Sequence, residues 1–257
     1  MARNQLVLDL SNDEVHEYLY DTISGLLRDY DIDYIKWDFK RPISDVYSHS
    51  TPSARQGEVP HRYYLSLYRL YDRLTSEFPD VLFEGCAGGG GRFDAGMLQY
   101  SPQVWCSDNT DPVARLAIQY GTSFGYPSSA MGAHVSASPN HQTGRKTPLS
   151  TRGVVAMAGT FGYELDLTKL TVEECGEIRN QIKRYKDIEP VIHGGRLYRL
   201  SDPSENSRYY CWEHVSQDKS RCILSVVVTD PQANYTLVHV KLKGLDSDAM
   251  YSVGGEF

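Results

Sequence analysis

Two short segments end apolar runs in carboxylates. "DYIKWDFKR" (33–41) carries Lys36, Trp37 and Asp38, and "PQVWCSDNTD" (102–111) carries Asp108. Side chains alternate along a strand, so Ile35 and Trp37 face one way while Lys36 and Asp38 face the other. Charges inside a sheet are costly, so this is either an edge strand with a wet face or the wall of a site. Two carboxyl groups facing each other are what glycoside hydrolysis needs: one attacks or activates water, and the other protonates the leaving oxygen. Spacing alone does not single out that chemistry, because any acidic α/β chain offers such pairs. Asp111 rivals Asp108, but it stands immediately before Pro112, where a helix-capping role is expected.

The remaining constellations point elsewhere or nowhere. "CAGGGGRFD" (86–94) has consecutive glycines, without the spacing of a dinucleotide loop and without the Lys-Ser/Thr of a P-loop. It reads as a tight turn, or as backbone brought close to a neutral ligand, with Arg92 and Asp94 pairing together or capping the next helix. His134 and His141 lack metal-ligand spacing, and no G-x-S-x-G elbow is present. Glu164 and Asp166 in "YELD" are left open between acids beside a site and a charged strand end. The five cysteines are odd in number and form no C-x-x-C pair, so neither a zinc site nor a disulfide framework is expected. Reduced thiols in the cytoplasm fit better.

The elements that must position these residues alternate. Strands are expected at 4–10, 33–38, 81–86, 103–108, 131–136 and 162–166, with helices at about 13–30 and 61–78 and another after Pro112. Such alternation implies βαβ units and a parallel sheet. Polar residues at the strand ends (Asp9, Asp38, Cys86, Asp108) suit the C-terminal mouth of a (β/α)8 barrel. From about Gly195 the runs "RLYRLS", "RYYCWEHVS", "RCILSVVVT" and "YTLVHVKLKG" are β-like with no helix between them. The reading is therefore an incomplete barrel over 1–192, about strands 3–8, and an all-β sandwich domain over 193–257. Six units fall two short of closure, so the chain reads as one that begins inside a domain. A net charge of −7 argues against a nucleic-acid or acidic-membrane partner. No apolar run approaches the ~18 residues of a membrane helix.

"YIKWD", "CAGGGGRFD", "PQVWCSDNTD", "RLAIQYGTSFGYP", "GAHVSASPNHQTGR" and "GTFGYELDL", in this order, resemble the α-galactosidases of glycoside hydrolase family 36. The resemblance implies a (β/α)8 catalytic barrel with a C-terminal β-domain, retaining chemistry on terminal α-linked galactose of oligosaccharides, no cofactor, and a homo-oligomer, often a tetramer. It places the nucleophile at Asp38 and the acid/base at Asp108, with sugar contacts at Arg3, Lys36, Trp37, Lys40, Cys86 and Gly89. Trp37 is also expected to pack outward under a helix. The acidic pair that grips the 4- and 6-hydroxyls in the family falls upstream of this chain. Two departures stand out. Phe39-Lys40 replaces the family's Met-Asn, and Gly88 replaces a Ser. Both alter the surroundings of the sugar C2, which makes an α-N-acetylgalactosaminidase the alternative. A non-catalytic or folding-incompetent fragment is the alternative from another class.

Overall fold

The computed structural model describes residues 6–39, 43, 46–204, 208–231, 233 and 239–255. By contacts the chain divides into two compact units, 1–108 with 130–132 and 109–129 with 133–257.

The first unit begins with a helix pair. Asn12 caps α1 (Asp13–Asp29) by accepting from the Glu14 amide at 3.0 Å, with acidic residues in the first turn and Arg28 in the last. Both arrangements favour the helix dipole. In α2 (Val59–Glu77), Tyr63, Leu67, Leu70, Tyr71 and Leu74 recur at three and four residues and are buried together, a stripe turned to the core. Phe83, Leu10, Leu27 and Met97 complete that core, and Trp37 packs against it. Between these helices and beyond them run β1 (Tyr34–Asp38), β2 (Leu82–Cys86) and β3 (Gln103–Trp105), with the short α3 (Ala95–Leu98) before β3. They pair in parallel, with Lys36 opposite Glu84, Asp38 opposite Cys86, and Glu84 opposite Gln103. The register continues from Trp105 to Gly132 at the start of β4 (Met131–Ser136).

The second unit holds α4 (Pro112–Thr122), the rest of β4, α5 (Leu149–Ala156), β5 (Thr160–Glu164) and α6 (Val172–Gly194). Thr171 and Glu174 form a reciprocal capping box at the start of α6. The strand order β1-β2-β3-β4-β5 follows the sequence, as in successive βα units of a barrel. A separate antiparallel sheet, β6 (Arg196–Arg199), β7 (Tyr209–Val215) and β8 (Cys222–Val228), follows without an intervening helix. Its Val227 packs with Leu116 and Val155.

Four expectations shift. Residues 6–9 form no strand, for no ladder partner lies beside them among the described residues. β3 ends at Trp105 and not at Asp108, because Cys106–Asp108 leave the ladder to meet the glycine run. β5 starts two residues earlier and stops before Asp166, whose side chain instead caps a turn by accepting from the Thr168 amide at 3.0 Å. Of the fourth β-like run, 234–238 lie outside the described residues and 239–243 form no strand.

Candidate active site

The parallel register collects polar side chains on one face of the first unit's sheet. Lys36 and Asp38 on β1 stand beside Glu84 and Cys86 on β2, and Trp105 on β3 reaches the same face. Lys36 Nζ lies 3.6 Å from Glu84 Oε1 and 4.6 Å from the centre of the Trp105 ring. Asp38 ends its strand next to Cys86. Burial pushes the Cys86 thiol up to about 11, and the Asp38 carboxylate, hydrogen-bonded to it, adds to the shift against the opposing Gly89 amide and Lys36. The thiol is therefore neutral and donates to Asp38.

The glycine run has a backbone task. Gly88, Gly89 and Gly90 all have positive φ, at 63°, 79° and 90°. A Cβ on Gly89 would lie 2.2 Å from the Asp108 amide nitrogen, and one on Gly90 would lie 2.9 Å from the Cys106 carbonyl oxygen. The loop after β2 thus presses bare backbone against the segment after β3, and so brings Asp108 to the end of the sheet that carries Asp38. Only glycine meets both demands, left-handed φ and close approach. Arg92 ties this loop to the end of β1 by donating to the Phe39 carbonyl at 2.8 Å, its guanidinium 4.0 Å from the Phe39 ring centre. Asp94 caps α3 through the Met97 amide at 2.9 Å and also accepts from the Tyr68 hydroxyl. A cavity of about 610 Å³ beside β1 includes Asp38, Phe39 and Arg92 in its lining.

Of the residues expected in the site, Lys36, Asp38 and Cys86 share one face, and Gly89 packs on the backbone of Asp108. Trp37 does not share that face. Its ring centre is 4.8 Å from that of Tyr71, on the helix side of the sheet. Arg3 and Lys40 lie outside the described residues. Asp111 is the N-cap of α4, accepting from the Val113 amide and pairing with Arg145 at 2.9 Å. His134 sits 3.0 Å from Glu164 in the second unit. Among the described residues no group of three or more His, Cys, Asp and Glu is arranged to hold a metal, and no helix is long and apolar enough to cross a membrane.

Sequence reasoning missed Glu84. It is fully buried, and its Oε2 accepts from the Tyr34 hydroxyl and from Gln103 Nε2, the latter at 2.7 Å. A signal was present: Glu84 precedes Cys86 by two residues, as Lys36 precedes Asp38.

Comparison with known proteins gives the family of the chain. Residues 1–195 match the melibiase family and 209–257 the glycosyl hydrolase family 36 C-terminal domain. The α-galactosidase AgaA of Geobacillus stearothermophilus is 52% identical over 254 residues, covering 99% of this chain and 35% of its own length. The bifunctional α-galactosidase/sucrose kinase AgaSK of Mediterraneibacter gnavus is 53% identical over 97% of this chain and 26% of its own. The crystal structure of an AgaA variant in complex with raffinose superposes with a TM-score of 0.93 at 52% identity, covering 96% of this chain and 34% of that one. The α-galactosidase from Lactobacillus brevis superposes with a TM-score of 0.92 at 44% identity, over 95% and 33%. The chain thus spans about a third of AgaA and less of AgaSK.

Proposed function

The chain belongs to glycoside hydrolase family 36, the melibiases, and from that premise we propose that the full-length protein is a retaining α-galactosidase acting on terminal α-linked galactose of oligosaccharides. The observation that carries the proposal is the pairing at the strand ends: Asp38 beside the neutral Cys86 thiol and above Lys36, with Gly89 holding the backbone of Asp108. Asp38 attacks the anomeric carbon while protonated Asp108 donates to the departing oxygen, leaving a covalent glycosyl-enzyme. Asp108 then takes a proton from water as the water displaces Asp38, and two inversions give net retention. Raffinose and stachyose bound to AgaA variants support an oligosaccharide substrate. The N-acetylgalactosaminide alternative is not favoured, since the relatives carry the name α-galactosidase. Five unbridged cysteines support a reducing, cytoplasmic setting, and the tetramer implied by the resemblance remains part of the proposal.

The test is hydrolysis of an aryl α-galactoside by the full-length protein and by Asp38→Asn and Asp108→Asn. We expect Asp38→Asn to lose about 10⁴-fold or more in kcat. Asp108→Asn should lose most on substrates with poor leaving groups and recover turnover with azide, which needs no general base. An Asp38→Asn variant with wild-type turnover would sink the assignment.

A further inference from the structure

The interior of a parallel barrel is ordinarily filled by branched aliphatic side chains. In the first unit, the layer beneath Asp38 and Cys86 is polar instead, and four strands converge on one carboxylate there. Tyr34 and Lys36 come from β1, Glu84 from β2, Gln103 and Trp105 from β3, and Gly132 from the start of β4. Glu84 has no solvent exposure. A carboxylate so placed is tolerated only when it is paired and hydrogen-bonded.

We propose that Glu84 is a positioning residue for the glycosidase reaction, holding the Lys36 ammonium beneath the nucleophile. The inference rests on Asp38 being that nucleophile. The two oxygens of Glu84 divide the work. Oε2 is anchored by donors from Tyr34 and Gln103, which fixes the plane of the carboxylate. Oε1 is then turned toward Lys36 Nζ at 3.6 Å. Gly132 leaves the space this requires, for a Cβ there would stand 3.3 Å from Oε1 and 3.2 Å from the Val104 carbonyl oxygen. On its other side the ammonium meets the Trp105 ring at 4.6 Å, within cation–π range.

A lysine ends in a compact charge on a flexible four-carbon stem, so without such bracketing its position near Asp38 would be spread over several rotamers. Glu84 and Asp38 also divide two carboxylate roles around one cation. The buried one is locked into the pair, while the other ends its strand beside Cys86. The ammonium thus approaches Glu84 on β2 and the Trp105 ring on β3, while Tyr34 and Gln103 hold Glu84 from β1 and β3. A residue that acts through another leaves a signature in kinetics: its loss matters only while that other residue is present.

The experiment is a double-mutant cycle in the full-length protein with Glu84→Gln, Lys36→Met and the pair, reading kcat and KM on an aryl α-galactoside, with far-UV circular dichroism and Tm as the check on folding. Glu84→Gln should lose about ten- to a hundredfold in kcat/KM, and the double variant should lose no more than Lys36→Met alone. Additive losses, wild-type kcat/KM in Glu84→Gln, or full activity in Lys36→Met would overturn the proposal. Should Glu84→Gln fail to fold, Gln103→Ala keeps the carboxylate and removes one anchor. Its smaller loss should likewise vanish in the Lys36→Met background, and a loss that persists there overturns the proposal. A wild type that turns over no α-galactoside, or an active Asp38→Asn, fails the glycosidase reading itself and takes this inference with it.

Discussion

Glu84 in the first unit and Glu213 in the second are both closed to solvent, yet their surroundings differ in kind. Glu213, on β7, accepts from the Lys243 amide at 2.6 Å and from the Cys222 thiol at 3.3 Å. Burial and this carboxylate push the Cys222 thiol up to about 12, so it stays a neutral donor. Its named partners are a backbone amide and an uncharged thiol, which leave it fixed in place. Glu84 instead pairs with the ammonium of a lysine two residues from the proposed nucleophile. A buried carboxylate is thus no sign of chemistry in itself. What distinguishes the two is whether a partner borders a reacting group.

The contrast is sharpest if each glutamate is exchanged for its isostere in the full-length protein. Glu84→Gln should lower kcat/KM by the ten- to hundredfold argued above, and Tm as well, because it weakens the hydrogen bonds from Tyr34 and Gln103 and the pair with Lys36. Glu213→Gln should touch Tm alone. It weakens two buried hydrogen bonds at a cost of about 1–3 kcal/mol, read as a lower Tm at unchanged kcat/KM. A folded Glu213→Gln variant with impaired turnover would erase the distinction.

A smaller effect concerns acid. His214, beside Glu213 on β7, is buried with Nε2 2.9 Å from the Ser128 hydroxyl. Burial, with His193 adding to it, depresses its pKa from 6.5 to about 4. The folded state binds this proton less readily than the unfolded chain, so the stability from neutral His214 is present above about pH 6.5 and is lost as pH falls toward 4. Urea midpoints of His214→Gln should vary less than wild type across that window. An equally steep curve would show that the acid sensitivity arises elsewhere.

The smallest effect lies at alkaline pH and tests both regions together. The Cys86 and Cys222 thiols are raised from 9.0 to about 11 and about 12, in each case chiefly by burial. Folding holds their protons more tightly, so their contribution is complete below about pH 9 and is lost as pH rises through 11 and 12. Cys86→Ser and Cys222→Ser should each flatten the fall in urea midpoint above pH 9. Only Cys86→Ser should also alter kcat/KM, because only Cys86 touches Asp38.

Periodicity and capping residues carried much of the architecture. Pro112 after Asp111, and Lys36 and Asp38 alternating with Ile35 and Trp37, are local facts, and local physics suffices to read them. The same alternation sent Trp37 to the helix side against Tyr71. Strand ends were less legible. Whether Cys106–Asp108 stay in the ladder depends on the glycine run pressing against them, and residues 6–9 need a partner strand that their own sequence does not specify.

The linear order of residues settled the βα alternation and the carboxylate that ends β1, because these follow from side-chain size, charge and period along one segment. It did not settle that Glu84, Lys36, Gln103 and Trp105 meet. Those residues come from three strands separated by helices, and their encounter is fixed by the parallel register that pairs Lys36 with Glu84 and Glu84 with Gln103. A slip of one residue would send each side chain to the opposite face. Register is therefore where tertiary packing turns three ordinary strands into one site.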